Sequence, residues 1–196
     1  MTNTFTHEFG GWHEAEARRW TNPDGSEGGI VATSASVHSS VTLPSGVEVW
    51  PNAQVGPYAR IGYGTSIGSH TSIGYGTSIG YGTSIGSRAS IGDGTSIGSR
   101  ASIGDGTVYE AGDWLFVAGP QGSRDAWATA VWSPKHGLRW WVGCQHGLST
   151  DDLLARIEGE HGASAHGDDY RYLVKIVTEH PGLARAMAAL PEGAAS

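Results

Sequence analysis

Between residues 31 and 108 an aliphatic side chain returns at every sixth position: Val31, Val37, Leu43, Val49, Val55, Ile61, Ile67, Ile73, Ile79, Ile85, Ile91, Ile97 and Ile103. This makes thirteen hexapeptides without an insertion. Two residues before these positions stand small or short side chains, among them Ala53, Ala59, Thr65, Thr71, Thr77, Thr83, Ala89, Thr95 and Ala101. A narrow interior accepts that pairing of Ile/Val with Thr/Ala and excludes larger groups. After the aliphatic residue usually comes glycine and then a turn pair such as Tyr63-Gly64, Ser69-His70, Asp93-Gly94 or Ser99-Arg100. Glycine there permits a positive φ. Short strands and tight corners repeated at this period predict a coil that stacks its strands about 4.8 Å apart.

Threading by eighteen places Val31, Val49, Ile67, Ile85 and Ile103 on one face, Val37, Val55, Ile73 and Ile91 on a second, and Leu43, Ile61, Ile79 and Ile97 on a third. Serine ladders then run along the outside: Ser66, Ser84 and Ser102; Ser72 and Ser90; Ser78 and Ser96. Such flat faces suit either close approach of another subunit or plain hydration. Residues 1–30 carry Phe5, Phe9, Trp12 and Trp20 before the turn Asn22-Pro23-Asp24-Gly25, and predict a hairpin-like cap over the open end of the coils.

The aliphatic column is expected to fail at Tyr109. Beyond it, Trp114–Ala118, Ala126–Trp132 and Leu138–Cys144 predict three strands, the last two joined by Ser133-Pro134-Lys135-His136-Gly137. Ser149-Thr150-Asp151-Asp152 provides the start of a helix with Leu153, Leu154 and Ile157. A second helix carries Tyr170, Leu173, Val174 and Val177, and a third follows Pro181 with Leu183, Met187 and Leu190. The expected organisation is a cap (1–30), a parallel β-helix (31–108) and a small C-terminal α+β domain (109–196).

The repeats Ile-Gly-Tyr-Gly-Thr-Ser and Ile-Gly-Asp-Gly-Thr-Ser resemble those of the left-handed parallel β-helix superfamily, which includes hexapeptide-type bacterial acyltransferases. The resemblance covers about two fifths of the chain. It implies a triangular prism of a little over four coils, mainly β, and association as a homotrimer. The C-terminal half, with Gly-Pro-Gln-Gly-Ser-Arg after the coils, is similar to domains of uncharacterised bacterial and phage proteins, and that likeness implies no activity.

A net charge of −7 with a pI near 5.6, and no basic cluster longer than Arg18-Arg19, argues against nucleic-acid polymers and anionic membranes as partners. Cys144 is the single cysteine, so no internal disulfide forms. The N-terminus has neither a basic nor an apolar leader region, and a cytoplasmic location is expected.

An acyltransferase of this type would use acetyl-CoA or another acyl-CoA and a histidine as general base. His70 is the histidine of the regular coils, at a corner between Asn52 and Arg88 in the threading. His38 lies in a less regular repeat. Against an enzyme, no loop breaks the thirteen units, whereas the resembled enzymes extrude one to shape the acceptor pocket. Cys144 and His146 form a weak nucleophile pair, since alternation puts them on one face of a strand without guaranteeing contact. His136, His146, His161, His166 and His180 fit no zinc spacing, and no metal is expected.

The alternative is recognition without catalysis. Gly122, Ser123 and Arg124 form a glycine-rich loop in which Arg124 can take a carboxylate or phosphate, or the loop is a plain hairpin turn with Arg124 paired to Asp125 or a helix carboxylate. Trp140 and Trp141 lie in the same domain, and alternation predicts that one of them faces away from the core. An exposed tryptophan beside Arg124 would suit a small planar anion, nucleotide-like in character. The leading reading is a non-catalytic oligomeric scaffold and binding protein with no cofactor. The second is the acyltransferase, and the third is an ice- or surface-binding protein, which inward-pointing threonines disfavour.

Overall fold

The computed structural model describes residues 3–121, 126–143 and 145–189. The chain divides into two compact units, Met1–Ala111 and Gly112–Ser196. The first is a left-handed parallel β-helix with an antiparallel cap. Its two-residue strands pair in parallel at an offset of eighteen: Ser66 with Ser84 and Ser84 with Ser102 on one face, Ser72 with Ser90 on the second, Arg60 with Ser78 and Ser78 with Ser96 on the third. Those pairings are the three faces threaded from the sequence. One strand lies beyond the column as first read, because Val108–Tyr109 pairs with Ser90–Ile91. An aromatic ring thus closes a column otherwise built of Val and Ile.

The aliphatic columns from Val31 to Ile103 are at most 6 % exposed where they lie inside the coils, apart from Val37. Each buried isoleucine contributes roughly 1.5–3 kcal/mol. The threonines beside them are buried for a second reason. Thr65 Oγ1 donates to the carbonyl of Gly62 at 2.7 Å, and Thr71 Oγ1 donates to that of Gly86 in the next coil at 2.8 Å. Each hydroxyl satisfies a corner carbonyl that apolar packing would leave unpaired.

Corner side chains also stitch adjacent coils. Ser34 Oγ accepts from Asn52 N, Ser40 Oγ from Tyr58 N, Asp93 from Tyr75 N, and Asp105 from Ser87 N. The last corner position takes positive φ throughout the regular coils. Glycine meets that need at Gly64, Gly76, Gly82, Gly94 and Gly106, but Asn52, Tyr58, His70, Arg88 and Arg100 adopt it with a Cβ. Left-handed backbone costs an ordinary residue about 1–2 kcal/mol, partly offset by the freedom glycine has when unfolded. Arg88→Gly is therefore expected to leave stability unchanged or raise it by up to about 1 kcal/mol, measured as the midpoint of a urea titration.

The cap comprises strands Thr4–Phe9, His13–Thr21 and Glu27–Ala32, and the third continues one prism face by pairing in parallel with Glu48–Val49. It therefore runs across the expected cap boundary at residue 30. Asn22 N donates to Ser26 O across the predicted turn. The Ser26 hydroxyl, helped by its N–H, holds the Asp24 carboxyl below the ordinary carboxylate range. Phe9, Ala17 and Trp20 are buried against the open end of the coils.

The second unit is a four-stranded antiparallel sheet of Trp114–Gln121, Ala126–Ser133, Gly137–Val142 and Gln145–Leu148, in that order. The fourth strand is additional to the three expected; with one leucine in four residues it has no readable alternation. Helices α1 (Thr150–His161), α2 (Ala165–Thr178) and α3 (Pro181–Ala188) follow. Ser149 Oγ caps α1 by accepting from Asp152 N at 3.1 Å. Trp140 and Val142 from the sheet pack with Leu153 and Ile157 of α1 and Tyr170, Leu173, Val174 and Val177 of α2.

Candidate functional site

The coil corners offer the described chemistry. His70 is exposed, its backbone fixed at φ 59° and its N–H donated to the Pro51 carbonyl at 3.0 Å. Its ring meets the Asn52 amide, with Nε2 and Nδ2 3.4 Å apart, and the column threaded from sequence, Asn52 above and Arg88 below, is the observed stack. The imidazole has no carboxylate to orient it among the described residues. A general base needs such a partner or a substrate to fix its tautomer.

His38 differs. Its Nδ1 accepts from the Ser40 hydroxyl at 2.8 Å and from Ser40 N at 3.1 Å, which places the ring proton on Nε2. Its ring centroid lies 6.5 Å from that of Tyr58, which in turn meets Tyr75 edge-on at 5.5 Å. On the next corner Tyr63 and Tyr81 stack at 5.9 Å. These tyrosines, each more than half exposed, form two aromatic columns along the edges of the face that carries Arg60, Ser78 and Ser96. The six-residue aliphatic period passes over them; the signal is an aromatic side chain at turn-pair positions elsewhere occupied by small, polar or charged residues.

A cavity of about 320 Å³ opens beside the first column, lined by Ser40, Thr42, Pro44, Tyr58, Ala59, Arg60 and Ile61. Its origin is visible in the chain. Val41–Leu43 is gripped by the cap: Trp20 Nε1 donates to Val41 O, Leu43 N donates to Asn22 Oδ1, and Gly29 N donates to Leu43 O. Pro44 stands where lower coils have a glycine whose N–H donates to the next coil, as Gly62 N does to Ile79 O at 2.8 Å. An isolated bridge, Thr42 to Arg60, stands here in place of the two-residue strand pairing of the lower coils.

In the second unit, Gly122, Ser123, Arg124 and Cys144 lie outside the described residues. Trp140 and Trp141 are 0 % and 6 % exposed, which corrects the expectation that one of them is free on the surface. Their strand is interior, flanked on both sides; Trp140 faces α1 and α2, and alternation sends Trp141 to the opposite face, beside its cross-strand partner Thr129, itself fully buried. Trp140 Nε1 donates to Thr150 Oγ1 at 3.1 Å.

Two further histidines of this unit have local partners. His161 stacks on Tyr170 at 5.3 Å, and His180 accepts from Gly182 N at the start of α3 with its ring against Trp114 and Phe116. Among the described residues no group of three or more His, Cys, Asp or Glu side chains is placed to hold a metal ion. None of the described helices is long and apolar enough to cross a membrane. Thr65, Thr71, Thr77, Thr83, Thr95 and Thr107 point into the coils and do not form an outer array.

These features define a hexapeptide-repeat parallel β-helix protein with an appended α+β unit. No family model matches the chain, and no curated protein matches it. Among solved structures it is similar to a histidine-substituted perosamine N-acetyltransferase from Caulobacter crescentus in complex with CoA and GDP-perosamine, at 19 % identity over 41 % of this chain and 47 % of that one, with a TM-score of 0.25. A second histidine variant of that enzyme in the same complex gives 23 % identity over 40 % and 43 % and a TM-score of 0.22. A hexapeptide transferase family protein from Anaplasma phagocytophilum gives 13 % identity over 82 % and 92 %, with a TM-score of 0.19. The chain spans less than half the length of the two perosamine acetyltransferase structures.

Proposed function

We propose that this is a non-catalytic scaffold and binding protein, homotrimeric through its β-helix, with the C-terminal unit carrying recognition of a small anionic ligand or partner. The supporting observation is the continuity of the coils: on the face that runs from Ser36 to Tyr109 each strand bonds the next, eighteen residues on, and no loop leaves the prism between them to build an acceptor pocket. Gly122, Ser123 and Arg124 are the residues assigned to the ligand, and Arg124→Ala is the substitution that should abolish its capture.

A second reading is retained because His70 presents an accessible imidazole on a coil corner. If the protein is an enzyme it is an acyltransferase, with acyl-CoA as donor and His70 removing the proton from the acceptor amine or hydroxyl. Native mass spectrometry with and without acetyl-CoA separates the two. The scaffold reading expects a trimer whose mass does not change. Uptake of about one acetyl-CoA per subunit, with turnover lost in His70→Ala, would replace it by the acyltransferase.

A further inference from the structure

We propose that the cavity between the first coils, lined by Arg60, Thr42, Tyr58, Pro44 and Ile61, is a binding site for a small monocarboxylic acid with an apolar body. Three observations meet there. The cavity, at about 320 Å³, lies at the small end of ordinary ligand pockets. Arg60, on the outer face of its strand, has no carboxylate partner among the described residues, although the chain carries 19 acidic residues against 12 basic ones. A fork of guanidinium N–H groups matches a carboxylate bidentately, and the Thr42 hydroxyl stands at the same opening as a further donor.

The third observation concerns Tyr58. It occupies a corner that the coils below fill with Gly76 and Gly94, and it holds a positive φ of 59° that glycine would adopt without strain. It is fixed there by its N–H to Ser40 Oγ at 2.9 Å and by the edge-on contact with Tyr75. A bulky aromatic kept in a strained corner beside an unpaired arginine gives the site one apolar wall, with Pro44 and Ile61 forming the rest of the lining. One arginine and no second cation in the lining selects a single negative charge over a phosphate dianion.

The test uses the full-length protein and saturation-transfer NMR, with benzoate and benzyl alcohol as observed probes and inorganic phosphate scored by its displacement of benzoate. Benzoate is expected to bind saturably, at least tenfold more tightly than benzyl alcohol or phosphate. Arg60→Gln should weaken benzoate at least tenfold while leaving the circular dichroism spectrum unchanged, since the equivalent positions below are serines. Tyr58→Gly should weaken benzoate without lowering the urea midpoint, which separates a binding role from a folding one. Absence of saturable benzoate binding, equal binding of phosphate, or an unchanged response in Arg60→Gln would each overturn the proposal.

Discussion

Gly62→Ala is expected to destabilise the β-helix by about 3 kcal/mol, while Gly98→Ala, the same repeat position two coils on, should change stability by less than about 0.5 kcal/mol. Neither glycine has a positive φ, so backbone preference does not distinguish them. What differs is the coil beneath. A Cβ on Gly62 would stand 2.5 Å from Tyr81 N and 2.6 Å from the carbonyl carbon of Gly80, whereas a Cβ on Gly98 would have no heavy atom within 4 Å. The obstruction at Gly62 is backbone, held by Gly62 N to Ile79 O at 2.8 Å and Gly82 N to Tyr63 O at 2.9 Å, and it cannot rotate aside as a side chain would. Relief requires parting the coils at that corner, which breaks ladder bonds. In a chain of this size a loss of that order lowers the melting temperature by roughly 6–12 °C. Urea titrations of the two variants followed by circular dichroism provide the check; equal midpoints would mean that the coils do not stack in this register.

That contrast also shows what a sequence of this kind discloses. A period of six needs no tertiary information, because each coil buries its aliphatic residue against identical neighbours; the three faces follow from counting by eighteen. The inward threonines were readable for the same reason, although their hydroxyl bonds to glycine carbonyls were not. Legibility ended where the repeat did. Tyr109 continues the column of Val37, Val55, Ile73 and Ile91, which the aliphatic pattern alone closes at Ile91, because strand pairing tolerates an aromatic at the last turn where packing below it stops. Gln145–Leu148 is a strand because Gly137–Val142 offers it an edge, a cause that lies outside its own four residues. The cavity at Arg60 comes from a proline in a glycine position and from Asn22 and Trp20 holding the chain above it, contacts that span about twenty residues. The burial of Trp141 is not legible in the sequence because alternation predicts which face a side chain takes, and an antiparallel sheet commonly leaves one face to solvent; here Thr129, Val131 and Trp141 on that face are buried too.

Trp140 gives the second large expected effect. It is fully buried at the centre of the C-terminal core, in contact with α1 and α2 packing, and its indole N–H reaches Thr150 Oγ1 at the first residue of α1. Trp140→Ala removes a fully buried indole from the core of that unit and should cost about 3–5 kcal/mol. Two milder changes divide the loss. Thr150→Val keeps the ring but leaves a buried N–H without its acceptor, at about 1–3 kcal/mol. Trp140→Phe gives up the donor together with part of the ring, so Thr150→Val added to it should cost little more, because the bond between the two is already gone. All three described helices lie in this unit, so ellipticity at 222 nm during urea unfolding reports on it directly. If Trp140→Ala left that transition in place, the sheet and helices would be held by contacts other than the core described, and the opposite face around Trp141 would become the first place to look for them.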